Sequence, residues 1–549
     1  MRRALALLAA MLGGLLVLAG SSVAVLTGPD DTAHLPTHPV PGEAGTAMVL
    51  PDLLAWDGLT VAVRAAGSDG GVFLGVAHPV DAQSYLAGVG TFRVNEVTRH
   101  GTFGGRRQDG DLPLPAVAPG AATFWSDHTE GTGTRQLLLP LSGEPTAVVA
   151  VATADDGGEG APAPSGSLRM DLGVQVPHAF AAGIAGAALG AVLVAVGVAT
   201  WPRRRHRHPS AEPAPHTGPT PATDLAVLRR TGRRLVAATT GTAVLALLTG
   251  CAALPERVEL GEIRRVAIHA DEVAPALASY DERAAAADAL SVQHDPAGWA
   301  AADTGASLAT DLYVTALLTA RGETPSPRTW ASTADQVYAP AFTAYPTWFL
   351  ADVTFSVADG EPTRQLTVLE RATVLDPWRL STGVAVAVDL PPSLEPGAAS
   401  TASDDALGRA AEVLAVVDRY METGDGTGLD LGPLAELRAD LLDSTNAGTS
   451  TFTVDHMATP QEVTGPGGSV RVVAVHGGSL VVADQLMTET ATAGPDYTLS
   501  FNDQAFAQVM GMTGDRDVLV VPTFLSVAVL LLDDGTARVL GADVRYRLP

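Results

Sequence analysis

Three long apolar runs constrain this chain more than any other feature. The first, Ala4 to Leu26, holds 23 residues without a charge and follows Arg2 and Arg3. The second runs from Ala179 to Trp201 and the third from Leu235 to Leu254. A helix of about 20 apolar residues is long enough to cross a hydrocarbon core of roughly 30 Å. The sequence therefore predicts two to three transmembrane helices. The first run reads as a retained anchor over 1–26. A cleavable signal is the competing reading, because Ser22-Val23-Ala24 has the small-x-small pattern of a cleavage site.

Orientation follows from the arginines. Residues 203–234 carry eight Arg against Glu212 and Asp224. Short Arg-rich loops stay in the cytoplasm. That places 202–234 inside and exposes residues 27–178 and 255–549 on the outer side of a cell membrane. The lipid bilayer is thus the first partner that the sequence implies. The Pro-rich loop has no apolar periodicity and reads as a tether.

The formal net charge is −26, and all 34 basic residues are Arg. So acidic a chain repels phosphate backbones, which excludes nucleic acid as a partner. The acidity itself reads as a device for solubility. With one Cys in 549 residues, neither an internal disulfide framework nor a multi-Cys metal site is available.

That cysteine sits in Leu248-Thr249-Gly250-Cys251. The four residues resemble a bacterial lipobox, and the Arg-rich flank with Leu235 to Leu247 resembles a lipoprotein signal. The resemblance implies lipidation at Cys251 and cleavage before it. The alternative is a plain third span over 235–254.

Residues 27–45 are rich in Pro, Thr, Gly and Asp and read as a linker. Beyond them, β-type runs at Leu59–Ala65, Val72–Ala77, Arg135–Leu141, Thr146–Thr153 and Leu168–Val176 are punctuated by turn clusters. That pattern predicts an extracytoplasmic β-sandwich over 46–178, with one short helix near Asp81–Val89. Val72-Phe73-Leu74-Gly75-Val76-Ala77, Val80 to Leu86, Phe124-Trp125 and Val174-Gln175-Val176 resemble a group of uncharacterised actinobacterial membrane proteins.

The rest of the chain twice sets helices before a long sheet. Helical patterns at 269–290 and Ala306–Ala320 precede strands Phe349–Val357, Gln365–Val374 and Trp378–Val388. A Pro/Ser/Ala-rich linker, 391–403, follows. Helices at Asp405–Met421 and Leu434–Leu442 then precede five strands, the longest at Ser479–Thr490 and Val518–Leu532. The expectation is two α+β units of the NTF2 or cystatin kind, 255–390 and 404–549. Tyr345-Pro346-x-Trp348-Phe349, Leu369-Glu370-Arg371, Asp376-Pro377-Trp378 and Gly477 to Val482 resemble a domain of unknown function in actinobacterial lipoproteins and membrane proteins. No catalytic residue comes with that resemblance.

Motifs for chemistry are missing. The 13 His show no metal-ligand spacing, and there is no nucleophile elbow or P-loop. Gly424 to Gly428 follows a helix and has no Lys, so it reads as a turn. The sequence predicts no cofactor, no metal and no enzyme. It predicts instead a binding or scaffold protein of the bacterial cell envelope that meets another envelope protein. The alternative is a carrier or sensor of a small apolar or lipid-like ligand, with Tyr338, Trp348, Phe349 and Trp378 lining a pocket in the C-terminal region.

Overall fold

The computed structural model describes residues 2–41, 45–68, 70–98, 100–153, 167–201, 255–357, 360–395, 401–443, 448–455 and 470–549. The chain is mixed α/β and divides into two compact units, residues 1–77 with 88–260, and residues 78–87 with 261–549. The run 235–254 and Cys251 lie outside the described residues.

In chain order the N-terminal part holds α1 (Arg2–Thr27), β1 (Thr32–His34), β2 (His38–Pro39), β3 (Thr46–Val49), α2 (Pro51–Leu54), β4 (Trp56–Gly67) and β5 (Gly71–Ala77). Then come α3 (Pro79–Tyr85), β6 (Thr91–Val97), β7 (Phe103–Gln108), β8 (Asp127–Thr132), β9 (Arg135–Ser142) and β10 (Ala147–Thr153). β11 (Leu168–Gln175), α4 (Ala179–Ala199) and β12 (Glu256–Arg257) complete it. One six-stranded sheet runs β1-β11-β4-β12, with β2 on β11 and β9 on β4. The other runs β7-β6-β3-β10-β5-β8. Val61, Val63, Leu137, Leu139 and Met170 of the first sheet share a core with Val49, Leu74, Phe92, Val94 and Val148 of the second. The stretch read as a linker carries β1 and β2, both paired antiparallel with β11.

The helices α1 and α4 are long and apolar enough to cross a membrane. They pack antiparallel through small residues. A Cβ on Gly13 would lie 2.6 Å from the Gly190 carbonyl oxygen, and one on Gly190 equally close to the Gly13 oxygen. Gly20 meets Gly183 in the same way, and Gly197 meets the backbone of Ala6 and Ala10. These residues recur every seven positions on each helix, so they stay on one stripe over three contacts. The helix pair continues into the sheet. Asp31, in a left-handed backbone conformation (φ 56°), accepts hydrogen bonds from His178 N at 3.0 Å and Phe180 N at 2.8 Å. It thus caps α4, whose first amide groups have no helical partner.

The second unit adds β13 (Arg265–Val266), α5 (Ala270–Ser291), α6 (Trp299–Ala302), α7 (Gly305–Arg321), β14 (Trp330–Tyr338), β15 (Ala341–Phe342), β16 (Thr347–Val357), β17 (Thr363–Arg371) and β18 (Arg379–Ala385). After these come α8 (Asp404–Thr423), α9 (Pro433–Asp443), β19 (Gly448–Asp455), β20 (Val470–Val475), β21 (Gly478–Ala493), α10 (Gln504–Val509), β22 (Val518–Leu532) and β23 (Ala537–Tyr546). A four-stranded sheet, β14-β16-β17-β18, faces a five-stranded one, β19-β21-β22-β23 with β20 on β21. Alternation along the strands makes four layers. Phe349, Ala351 and Val353 pack under Val273, Leu277 and Tyr280 of α5. Trp348, Leu350 and Val368 pack between the sheets with Val473, Leu480 and Val482. Val481, Ala483, Val527 and Val529 pack under Ala410, Leu414 and Val417 of α8. The central strands are buried on both faces, which is why they read as continuous apolar runs. The stretch 391–403 contributes bridges from Ser393 to Val475 and from Thr401 to Val473.

Gly13→Leu forces the helix backbones apart, whereas Gly14, with nothing within 4 Å of its Cβ position, has room. The expected outcome is a loss of about 1–3 kcal/mol for Gly13→Leu and little change for Gly14→Leu, measured by denaturation in detergent micelles.

Candidate functional site

Trp348 and Phe349 are neighbours on β16, so their side chains leave opposite faces of the sheet. Tyr338 and Trp348 sit between the two sheets, and Phe349 and Trp378 sit on the helix side. Relative exposures are 1% for Tyr338, 6% for Trp348, 0% for Phe349 and 9% for Trp378. The Tyr338 hydroxyl donates to the Pro391 carbonyl at 2.8 Å. Phe349 meets Trp378 edge-on at 4.9 Å between centroids. The Arg471 guanidinium lies 5.6 Å from the Trp348 ring centroid and pairs with Glu370 at 2.7 Å. The four aromatics therefore fill two separate cores and do not converge on one cavity. A shallow groove of ≈ 420 Å³ lies elsewhere in this unit, between Arg364, Ala385, Pro433, Leu437 and Asp543.

A buried polar cluster lies among the helices. Asp303, at the end of α6, is fully buried. The Tyr280 hydroxyl donates to its Oδ1 at 3.4 Å. Asp311 of α7 is its carboxyl neighbour, and burial is the main reason that both groups sit well above the ordinary carboxylate range. Their mutual repulsion raises Asp303 further. Asp288 is different in kind. It takes Arg328 through N at 2.7 Å, Nε at 3.1 Å and a terminal guanidinium nitrogen at 2.7 Å. A carboxylic acid that keeps its proton at neutral pH has the chemistry of a general acid. Asp303 has no exposed surface, so its carboxyl is shielded from solvent.

The second site is built around α3. His78 caps this helix by accepting from Val80 N at 3.3 Å, and Pro79 supplies the fixed φ of a first helical position. The Asp81 carboxylate lies 2.7 Å from Arg265 Nε, with side-chain exposures of 3% and 15% for Asp81 and Arg265. Tyr345 donates its hydroxyl to Asp81 at 2.9 Å, and Ser84 Oγ accepts from Val374 N at 3.0 Å. Burial pushes the Asp81 carboxyl up, and Arg265 and Tyr345 pull it back. Burial and Arg265 together lower His78 to about 4, so its imidazole is neutral at physiological pH.

Among the described residues, no group of three or more His, Cys, Asp or Glu is placed to hold a metal ion. Sequence reasoning missed Asp303, Asp311, Asp81 and Arg265. Each is a single charged residue in a strongly acidic chain, and nothing in its local spacing separates it from a solvated one.

Residues 266–433 match the family profile of a domain of unknown function, DUF8094. The match runs from β13 through the four-stranded sheet and α8 to the start of α9. It takes in both carboxylates of the buried pair, as well as Tyr345 and Trp348. No curated protein matches the chain.

The buried pair sets a pH dependence. A carboxyl whose pKa is raised on folding keeps a proton that the unfolded chain has released. Stability is then full below the unfolded pKa and falls as pH rises past the ordinary carboxylate range. Asp303→Asn keeps an acceptor for Tyr280 and removes the titration. The urea midpoint of wild type should drop more between about pH 5 and about pH 8 than that of Asp303→Asn; parallel curves would show that the pair does not titrate as described.

Proposed function

We propose that this chain is a membrane-anchored, extracytoplasmic binding or scaffold protein of a bacterial cell envelope, without catalysis of its own. The observation that carries this reading is the helix pair α1–α4, zipped at glycine and joined to the first sheet through Asp31 and the β1–β11 pairing. A paired apolar hairpin with charged flanks suits a bilayer, where close packing replaces the hydrophobic drive between helices. The eight arginines after Trp201 orient it with the loop 202–234 inside. The sheets of the first unit then form an extracytoplasmic β-sandwich beside the membrane.

β12 adds a topological argument. It pairs with β4, Glu256 opposite Asp57 and Arg257 opposite Trp56. A chain that leaves the outer side through α4 is thus back on it at Glu256. That supports the same side for 255–549, where the α+β layers of NTF2- or cystatin-like type present an acidic surface to an envelope protein partner.

Single cysteines introduced on a Cys251→Ser background test this reading. With Glu144→Cys and Glu259→Cys, a membrane-impermeant maleimide should label intact cells. With Ser210→Cys, it should label only after permeabilisation. Labelling at 210 in intact cells, or protection at 259, contradicts the arrangement. The scaffold reading further expects a discrete cross-linked complex in native membranes, and a species of single-chain mass alone would argue against it.

A further inference from the structure

Two short segments are folded away from their neighbours in sequence. His78–Ala87 lies between β5 and β6, which belong to the first unit, yet it is built into the second. Residues 255–260 precede the second unit, yet they belong to the first, where β12 pairs with β4 and Val258 N donates to the Ala55 carbonyl at 2.9 Å. Each of these contacts lies inside one unit.

We propose that residues 1–201 and 255–549 are interlocked pieces, and that they stay bound to each other when the connection through 202–254 is cut. The partner of α3 is the C-terminal piece. A seven-residue helix has no stability alone in water, so α3 owes its form to what surrounds it. Pro79, Val80, Asp81, Ala82 and Tyr85 are all buried. Withdrawing α3 would expose that apolar face and strip Arg265 of the carboxylate 2.7 Å away. It would also leave the Tyr345 hydroxyl and the Val374 amide without Asp81 and Ser84. A buried charge that loses its partner is strongly unfavourable, so the pair resists opening. β12 fastens the exchange in the other direction. The expectation holds in detergent, whichever side of a membrane the pieces face.

The test uses the full chain with a protease site placed between Pro213 and Pro221 and a different tag at each end. After cleavage in detergent, capture of the N-terminal tag should recover both pieces in equal amounts. Asp81→Arg should lower the recovered C-terminal piece about tenfold, equivalent to about 1.4 kcal/mol. Asp81→Arg combined with Arg265→Asp should restore it. Wild-type pieces that separate on cleavage overturn the proposal. So does an Asp81→Arg variant that retains its partner as well as wild type, or a loss that the charge swap leaves unrestored.

Discussion

The backbone approach of α1 and α4 is the contact on which the first unit depends. Ala6, Gly13 and Gly20 oppose Gly197, Gly190 and Gly183, and each glycine contact sits where a side chain would strike the other helix. In the bilayer proposed for them, lipid tails are as apolar as leucine, so hydrophobic burial would not draw two such helices together. Shape does, through dispersion contacts at short range. Once the helices are side by side, the chain ends leaving them are adjacent. β1 then pairs with β11 with Thr32 opposite Gln175, and Asp31 closes the junction by capping α4. The sheet is therefore fixed at the end of the helix pair without a flexible stalk.

The second unit solves a different problem, which is how to bury two sheets against each other in an acidic chain. The carboxylates that go inside are each matched. Asp484, between the sheets, accepts from Thr382 Oγ1 at 2.7 Å and from Ser526 Oγ at 2.6 Å. Asp352 takes Arg364 at 2.6 Å, and Asp288 takes Arg328. Asp303 and Asp311 are the exception. Besides the Tyr280 hydroxyl on Asp303, they face each other as two carboxyls, and burial and repulsion hold a proton there, so their place in the unit is sensitive to pH.

Much of this architecture was legible in the sequence. The strands Val72–Ala77 and Val470–Val475 are read almost to the residue, because burial on both faces makes near-continuous apolar runs; Val518–Leu532 is read as closely, although Val518 and Val520 are exposed. A small-residue face on α4 is visible in the sequence through Gly183, Gly186, Gly190 and Gly197, whereas the partner residues Ala6, Gly13 and Gly20 are spread through a leucine-rich run. β1 and β2 were hidden because short edge pairings inside a Pro- and Thr-rich stretch carry no periodicity. The short helix near Asp81 was anticipated, but its destination was not. Which element receives a buried Asp is decided by an arginine 184 positions later, a long-range fact that local pattern does not encode. The four aromatics are grouped by the expectation of a pocket in the C-terminal region; strand alternation, applied to Trp348 and Phe349, separates them into two cores.

In the proposed arrangement α1 is a permanent structural element, since α4 and the first sheet are assembled against it. The most direct measurement is the mature N-terminus of the protein isolated from membranes, by mass spectrometry of its N-terminal peptide. Retention of α1, with the chain starting ahead of Ala4, is the predicted result. A mature chain that starts after Ala24 would contradict it, because the glycine stripe of α4 would then have lost its partner.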